Sequence, residues 1–346
     1  MIQNDKMLQS WQSYYYNIGL PAELAGIYID YARRMHGKGL PAIFEFSHLS
    51  ALLGRTPEYL ASAVNAPHKH YREFTIPKRS GGARTVSAPY STLLDCQKWI
   101  YENILAHVEC HPAAHGFVPN RSILTNANVH VSSRQILKID LEDFFPSIKI
   151  GRVMSLFSDL GYPDNVSFYL SSLCSLNGAL PQGAPTSPAL SNIICRQLDN
   201  RLAKAASRCD LVYSRYADDL TFSGETVTWG FYRLASYIIH DEGFKINGKK
   251  TRMMQCDNGS RIITGVNVSH GKTSAPSEFK RKLRQDVHYI LKFGLKSHMA
   301  KLRIRDPFYI DRIIGKVCFW IMLEPDAKFP AEALPILRAI SEKFER

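Results

Sequence analysis

The sequence predicts an α+β fold, because strand, helix, hairpin, helix and strand patterns follow one another between Arg134 and His270. Arg134 to Phe145 (RQILKIDLEDFF) alternates, so that in an extended strand Leu137, Ile139 and Leu141 share one face and Ile136, Lys138 and Asp140 the other. A sheet covered by helices on one side would then present Asp140 to an open cleft. Leu211 to Gly224 (LVYSRYADDLTFSG) is two strand-like runs around a tight turn at Tyr216-Ala217-Asp218-Asp219. Between these strands, Thr186-Ser187 before Pro188 starts a helix whose Leu190, Ile193, Ile194, Leu198 and Leu202 form a stripe suited to the back of the sheet. Trp229 to Glu242 is a second helix, and Arg261 to His270 (RIITGVNVSH) a further strand pair.

The flanks read differently. The first seventy residues look helical, with Pro21 to Arg34 as one helix and Thr56-Pro57-Glu58 as the start of another. Phe74 to Pro89 (FTIPKRSGGARTVSAP) reads as a β-hairpin around Gly81-Gly82, whose basic tip aims Lys78, Arg79 and Arg84 at one ligand. From Pro276 to Arg305 there are nine basic residues, including Lys280, Arg281 and Arg284, against the two acids Glu278 and Asp286. Phe279, Leu283, Val287 and Leu291 recur there every fourth residue, so a helix can bury that stripe and turn its cations outward, where a phosphate backbone would fit.

Composition narrows the class. With 346 residues and 45% apolar content the chain can build sizeable cores, and its net charge of +12 suggests a polyanionic partner. No run of eighteen apolar residues and no signal peptide is evident, so a cytoplasmic protein without membrane contact is expected. The seven cysteines lie far apart without a C-x-x-C pair and read as reduced residues. No internal repeat, low-complexity segment or long linker is present.

A bare Asp-Asp pair is ordinarily only a turn. Here strands flank it and another acid, Asp140, ends an upstream strand. Joining nucleotides requires a hydroxyl to attack an α-phosphate while pyrophosphate leaves, and two divalent cations about 3.5–4 Å apart answer the charge that builds on both oxygens. Carboxylates on rigid neighbouring strands can bridge such ions. Mg²⁺ suits them, because it takes hard oxygen ligands and completes its shell with water and substrate phosphates.

YADD at 216 to 219, together with LPQG at Leu180 to Gly183, resembles the reverse transcriptases, and the resemblance runs from about Tyr71 to His270. It implies a right-hand polymerase fold with fingers, a palm of antiparallel sheet backed by helices, and a helical thumb. The expected divisions are residues 1–70 as a helical part of the fingers, 71–133 as fingers, 134–275 as palm with fingers residues at about 150–205, and 276–346 as a basic thumb. The resemblance makes Asp140, Asp218 and Asp219 the ligands of two Mg²⁺ ions, with the Leu141 carbonyl as an extra ligand. It places Phe145 beneath the incoming sugar, where a bulky ring favours deoxynucleoside triphosphates. Gln182 then lies near that sugar, Arg84 on the triphosphate with Lys78 and Arg79, and Lys250 of GKKT donates a proton to the leaving pyrophosphate.

Two smaller motifs are similar to those of retron reverse transcriptases. Asn126-Ala127-Asn128-Val129-His130 fits N-A-x-x-H, and Ile263-Thr264-Gly265 resembles V-T-G, departing from it at Ile263. By itself the Asn126 and His130 pair is a helical i, i+4 polar pair of the kind that makes a structural hydrogen bond. The resemblance instead implies RNA or DNA contacts for Asn126, His130, Ile263, Thr264 and Gly265, joined by Lys280, Arg281 and Arg284. It further implies a cognate structured non-coding RNA, copied in part from an internal guanosine 2′-hydroxyl to give branched RNA–DNA (msDNA). A role in antiphage defence with an effector protein encoded nearby is implied too. The length leaves no room for an RNase H domain, so template removal would fall to a host RNase H. Competing readings are another bacterial reverse transcriptase, of group II intron, diversity-generating or other defence type, and a catalytically silent RNA-binding scaffold.

Overall fold

The structure, a computed structural model, describes residues 2–77, 81–255 and 260–344. Lys78 and Arg79 lie outside the described residues. The chain forms two compact units, one of Met1–Pro112, Leu141–Arg201 and Ile239–Lys245, the other of Ala113–Asp140, Leu202–Ile238 and Ile246–Arg346. Among the described residues no helix is long and apolar enough to cross a membrane.

The first unit is mostly helical. Its second helix, Ala22–Gly37, covers the segment expected from Pro21 to Arg34 and extends past it. Helix Pro57–Asn65 begins as its sequence requires, with the Thr56 hydroxyl accepting from the Tyr59 N–H at 3.3 Å and Pro57 in the first turn. Replacing Thr56 with Ala should cost about 1 kcal/mol, read as a lower urea midpoint at unchanged slope. Strands β1 (Tyr71–Pro77) and β2 (Ala83–Pro89) pair in antiparallel register from Tyr71↔Pro89 to Pro77↔Ala83. That register puts Arg72, Phe74 and Ile76 on one face with Arg84 and Val86. The single helix expected after Thr186 is two, Ser187–Ile194 and Arg196–Ser207, broken at Cys195.

The second unit holds β3 (Gln135–Asp140), β4 (Val212–Tyr216), β5 (Asp219–Gly224), β6 (Arg252–Gln255) and the short pair β7 (Ile262–Ile263) and β8 (Val266–Asn267). The first four of these form one antiparallel sheet in the order β4-β5-β3-β6. On its back face Leu137, Ile139, Leu220 and Phe222 are buried, and Phe222 stacks on Tyr213 and meets Phe231 of helix Trp229–Asp241 edge-on. The front face carries Ile136, Lys138 and Asp140 beside Asp219, Thr221 and Ser223, and beyond them Tyr216, Ser214 and Val212. It is not open throughout. Ile136 is fully buried in a core shared with Ala127, Ile263, Val266 and residues of the C-terminal helices, among them Leu283, Val287, Ile313 and Trp320.

Helix Ser277–Phe293 corrects one expectation. Its buried stripe is Leu283, Val287 and Ile290, with Phe279 partly buried against the same core, while Leu291 is exposed. At 3.6 residues per turn a strict spacing of four runs about 40° past each full turn, so the third step has left the face.

Candidate active site

Asp140 ends β3 and Asp219 begins β5, and the register sets them directly opposite one another, with Tyr216 opposite Asp219 on the far side. Directly opposed residues have Cβ atoms about 5 Å apart. Asp218 stands beside them in a two-residue turn whose first residue, Ala217, has φ 56°. A non-glycine residue in that region stores strain, and the surroundings hold it there. The segment Ala113–Gly116 runs parallel to β4, with His115 N–H donating to the Arg215 carbonyl and Arg215 N–H to the Ala113 carbonyl, both at 2.7 Å. Gly116 lies so close under the turn that a Cβ there would be 2.8 Å from the Ala217 nitrogen.

Two lysines face the acids. Lys250 Nζ lies 3.0 and 3.1 Å from the two Asp140 carboxylate oxygens, and Lys138 Nζ 3.5 Å from Asp219 Oδ2. Lys250 is placed by a turn in which Asn247 N–H donates to the Asp140 carbonyl and Lys250 N–H to the Asn247 carbonyl. Asp140 is buried, at 7% exposure, rather than open to a cleft, and the Lys250 ammonium lies against its carboxylate. Burial raises the Asp218 carboxyl above its ordinary range, and the charges of Asp219 and Asp140 add to that, while a backbone hydrogen bond and Lys250 oppose it. The charges of Asp140 and Asp219 thus disfavour ionisation of Asp218, a repulsion that a bound divalent cation would relieve.

The donor set fits such an ion. Among the described residues no group of three or more His, Cys, Asp or Glu side chains is arranged to hold a metal ion by itself. Mg²⁺ needs only one or two carboxylates and takes its remaining ligands from water and phosphate. Asp140, Asp218 and Asp219 would hold it, and Leu141, buried at 2%, could add only its carbonyl.

The residues assigned to the nucleotide belong to the first unit. Arg84 is exposed on β2. The Gln182 carbonyl accepts from Ser87 N–H at 2.8 Å, which docks the Leu180–Gly183 loop on the same strand. Gly183 permits this docking: its φ is 128°, and a Cβ there would meet the Ser87 carbonyl oxygen at 2.8 Å and Val86 Cγ1 at 2.9 Å. Phe145 is half-buried in the short helix Phe144–Ser147, its ring 5.4 Å from that of Phe144.

Several residues expected to touch nucleic acid are occupied within the protein. Asn126 and His130 are fully buried, so neither offers an atom to RNA. His130 lies between two serine hydroxyls, and burial pulls its pKa down to about 3, keeping it neutral. Ile263 is fully buried, whereas Thr264 (φ 46°) and Gly265 (φ 84°) form the turn between β7 and β8. Lys280 is clasped by Glu324 at 2.8 and 3.2 Å, and Arg284 lies over the Trp320 and Phe329 rings. Arg281 remains exposed. Lys138 was missed as a site residue, although alternation alone places it on the face of Asp140; the support from His115 and Gly116 has no such local signal.

A family model described as reverse transcriptase (RNA-dependent DNA polymerase) matches residues 76–290. The chain is 40% identical over 255 residues to the retron Mx65 reverse transcriptase of Myxococcus xanthus, covering 67% of this chain and 60% of that protein. It is 36% identical over 278 residues to the retron Ec86 reverse transcriptase of Escherichia coli, covering 78% of this chain and 85% of that one. Among solved structures, a foamy viral protease-reverse transcriptase in complex with double-stranded DNA aligns over 79% of this chain and 44% of its own, at 18% identity and TM-score 0.41. The chain belongs to the reverse transcriptases, RNA-dependent DNA polymerases, and within them to those of retrons. Its α+β architecture is accordingly the right-hand polymerase fold. Divalent metal and deoxynucleoside triphosphates are the general requirements of that family.

Proposed function

We propose that this chain is the polymerase of a retron, copying part of a cognate structured non-coding RNA from an internal guanosine 2′-hydroxyl and leaving branched RNA–DNA. The observation that carries the reading is the direct pairing of Asp140 with Asp219, with Asp218 in the adjoining turn. Two Mg²⁺ ions, when bound there, would stabilise the charge on the attacking and leaving oxygens. Arg84 would neutralise the triphosphate. The Phe145 ring would collide with a ribose 2′-hydroxyl, and Gln182 would orient the sugar. Lys250, 52% exposed at its side chain and so able to leave Asp140, would protonate the departing pyrophosphate.

In this reading residues 1–133 and about 150–205 serve as fingers, 134–275 as palm and 276–346 as thumb. Partners are the RNA and its RNA–DNA product, a host RNase H that removes template, and an effector protein in a cytoplasmic antiphage system. Sequencing of nucleic acid that copurifies with the protein tests the assignment: 2′,5′-branched RNA–DNA is expected, and unbranched product from a functional polymerase would point to another bacterial reverse transcriptase.

The thumb reading gives a separate expectation. Charge reversal at the exposed Arg281, Arg303 and Arg305 should weaken RNA binding and lower the slope of log affinity against log salt by about 0.7–0.9 for each phosphate that is no longer neutralised. Reversal at Lys280 should instead lower stability, since it leaves Glu324 facing a like charge. Salt titration and urea unfolding separate the two effects.

A further inference from the structure

We propose that Asn126 and His130 are positioning residues of the polymerase site, locking both strands of the acid-bearing hairpin and the Ile263–Gly265 turn into one arrangement through a single directional chain of hydrogen bonds. The inference rests on the reading of this chain as a polymerase and assigns its N-A-x-x-H segment a different task from contact with RNA.

The direction of the chain follows from counting protons. Ser214 Oγ donates to Asn126 Oδ1 at 2.8 Å, so it has no proton left for His130 and must accept from Nε2–H at 2.7 Å. His130 is then the Nε2–H tautomer, and its bare Nδ1 accepts from Ser223 Oγ at 2.6 Å. Ser223 in turn accepts from Ser133 Oγ at 2.8 Å. At the other end Asn126 Nδ2 donates to Thr264 Oγ1 over a longer 3.4 Å. Each hydroxyl along the buried stretch therefore gives one proton and takes one. Such a chain leaves no group unsatisfied and strengthens each of its links, and no reversal of one member is possible without reversing the rest.

Its placement gives it a function. Ser214 and Ser223 lie on β4 and β5, on the same front face as Asp219 and Asp140. His130 spans the two strands diagonally, so sliding one strand past the other would break a bond on each side of the ring. Asp218 and Asp219 sit at the far end of that ladder, and their positions are set by its register. Thr264 ties the β7–β8 turn to the same helix, Ile123–Asn128. Serine is an unusual choice for a buried strand face, and here each one has an assigned partner.

The test uses the full-length protein with a homopolymeric RNA template and an annealed DNA primer, which demand no recognition of a cognate RNA. Ser223→Ala and Thr264→Val each remove one hydroxyl without opening a large cavity, and His130→Ala removes the clamp. Loss of one such link is expected to lower kcat about tenfold, the rate equivalent of one hydrogen bond, with the KM for nucleotide and the affinity for template–primer unchanged. Ser223→Ala combined with His130→Ala should cost no more than His130→Ala alone. An unchanged kcat in Ser223→Ala and Thr264→Val, or a loss confined to template affinity, overturns the proposal. Thr264→Val reads the link even where His130→Ala fails to fold. Nitrogen-15 spectra of histidine-labelled protein provide a readout independent of catalysis. They should show His130 as the neutral Nε2–H tautomer from about pH 5 to 8, and the opposite tautomer or a protonated ring overturns the proposal. A wild-type protein that makes DNA neither on this template nor on its cognate RNA, while keeping that tautomer, would instead refute the polymerase reading and leave the hydrogen-bond chain standing.

Discussion

Replacing both Asp218 and Asp219 with asparagine should abolish DNA synthesis and leave RNA affinity intact. The substitution keeps the size of each side chain and removes two anionic oxygen donors, so the geometry of the hairpin survives while the attraction for a divalent cation is lost. Loss of a single preorganised charge-stabilising group costs about 10²–10³-fold in rate, and two adjacent ones should exceed that. The stability of the metal-free protein should not fall. Because the folded-state pKa of Asp218 is raised, its protonated form is the one the fold prefers; the stability it contributes is present at low pH and lost as pH rises through the interval above the ordinary value of 3.8. An asparagine side chain at that position has no acidic proton to lose, so the metal-free variant should unfold at the same or a higher temperature than the wild type at pH 7, and part of the pH dependence should vanish. Primer extension, RNA binding and thermal scans in a chelator check the three parts. Full synthesis by the double variant would refute the site.

What the sequence made legible is the chemistry carried by short-range patterns. Alternation in RQILKIDLEDFF and the doublet between two strand-like runs foretold an acid hairpin beside an acid-ended strand, and the structure pairs them residue for residue. Thr56-Pro57 foretold a helix start for the same reason: a cap needs only its own turn. Long-range closure was not legible. Alternation alone reads Asp140 as facing an open cleft, yet it is buried, with Lys250, more than a hundred residues away, against its carboxylate. Lys280 was readable as a cation, but its partner Glu324 lies beyond the end of another helix and claims it. Asn126 and His130 make structural hydrogen bonds, but to serines and a threonine of distant strands and turns rather than to each other along a helix, which ends at Asn128. Serines 214 and 223 carried no signal until the register placed them on one face.

Gly116→Ala should lower the rate of nucleotide addition about tenfold, and the reason lies in which atoms stand in the way. The added Cβ would sit 2.8 Å from the Ala217 nitrogen and 3.3 Å from the Tyr216 carbonyl carbon. These are backbone atoms of the turn that carries Asp218, so relief cannot come from a side chain swinging aside. Nor can the loop retreat easily, since the Arg215 backbone is bonded to it twice at 2.7 Å, through His115 N–H and the Ala113 carbonyl. The hairpin must therefore shift by several tenths of an ångström at the one place where displacement of about 1 Å costs 10²-fold. Overpacking of this kind also costs about 1–3 kcal/mol of stability. Ala217→Gly supplies an internal control. Ala217 holds a left-handed φ that glycine adopts without strain, so the double variant can relax the turn away from the new methyl and should recover part of the lost rate. Single-turnover extension of a bound primer measures this directly. Equal rates in wild type and Gly116→Ala would show that the loop from Ala113 does not back the acid turn, whereas a loss seen only in template affinity would move its role from positioning carboxylates to holding nucleic acid.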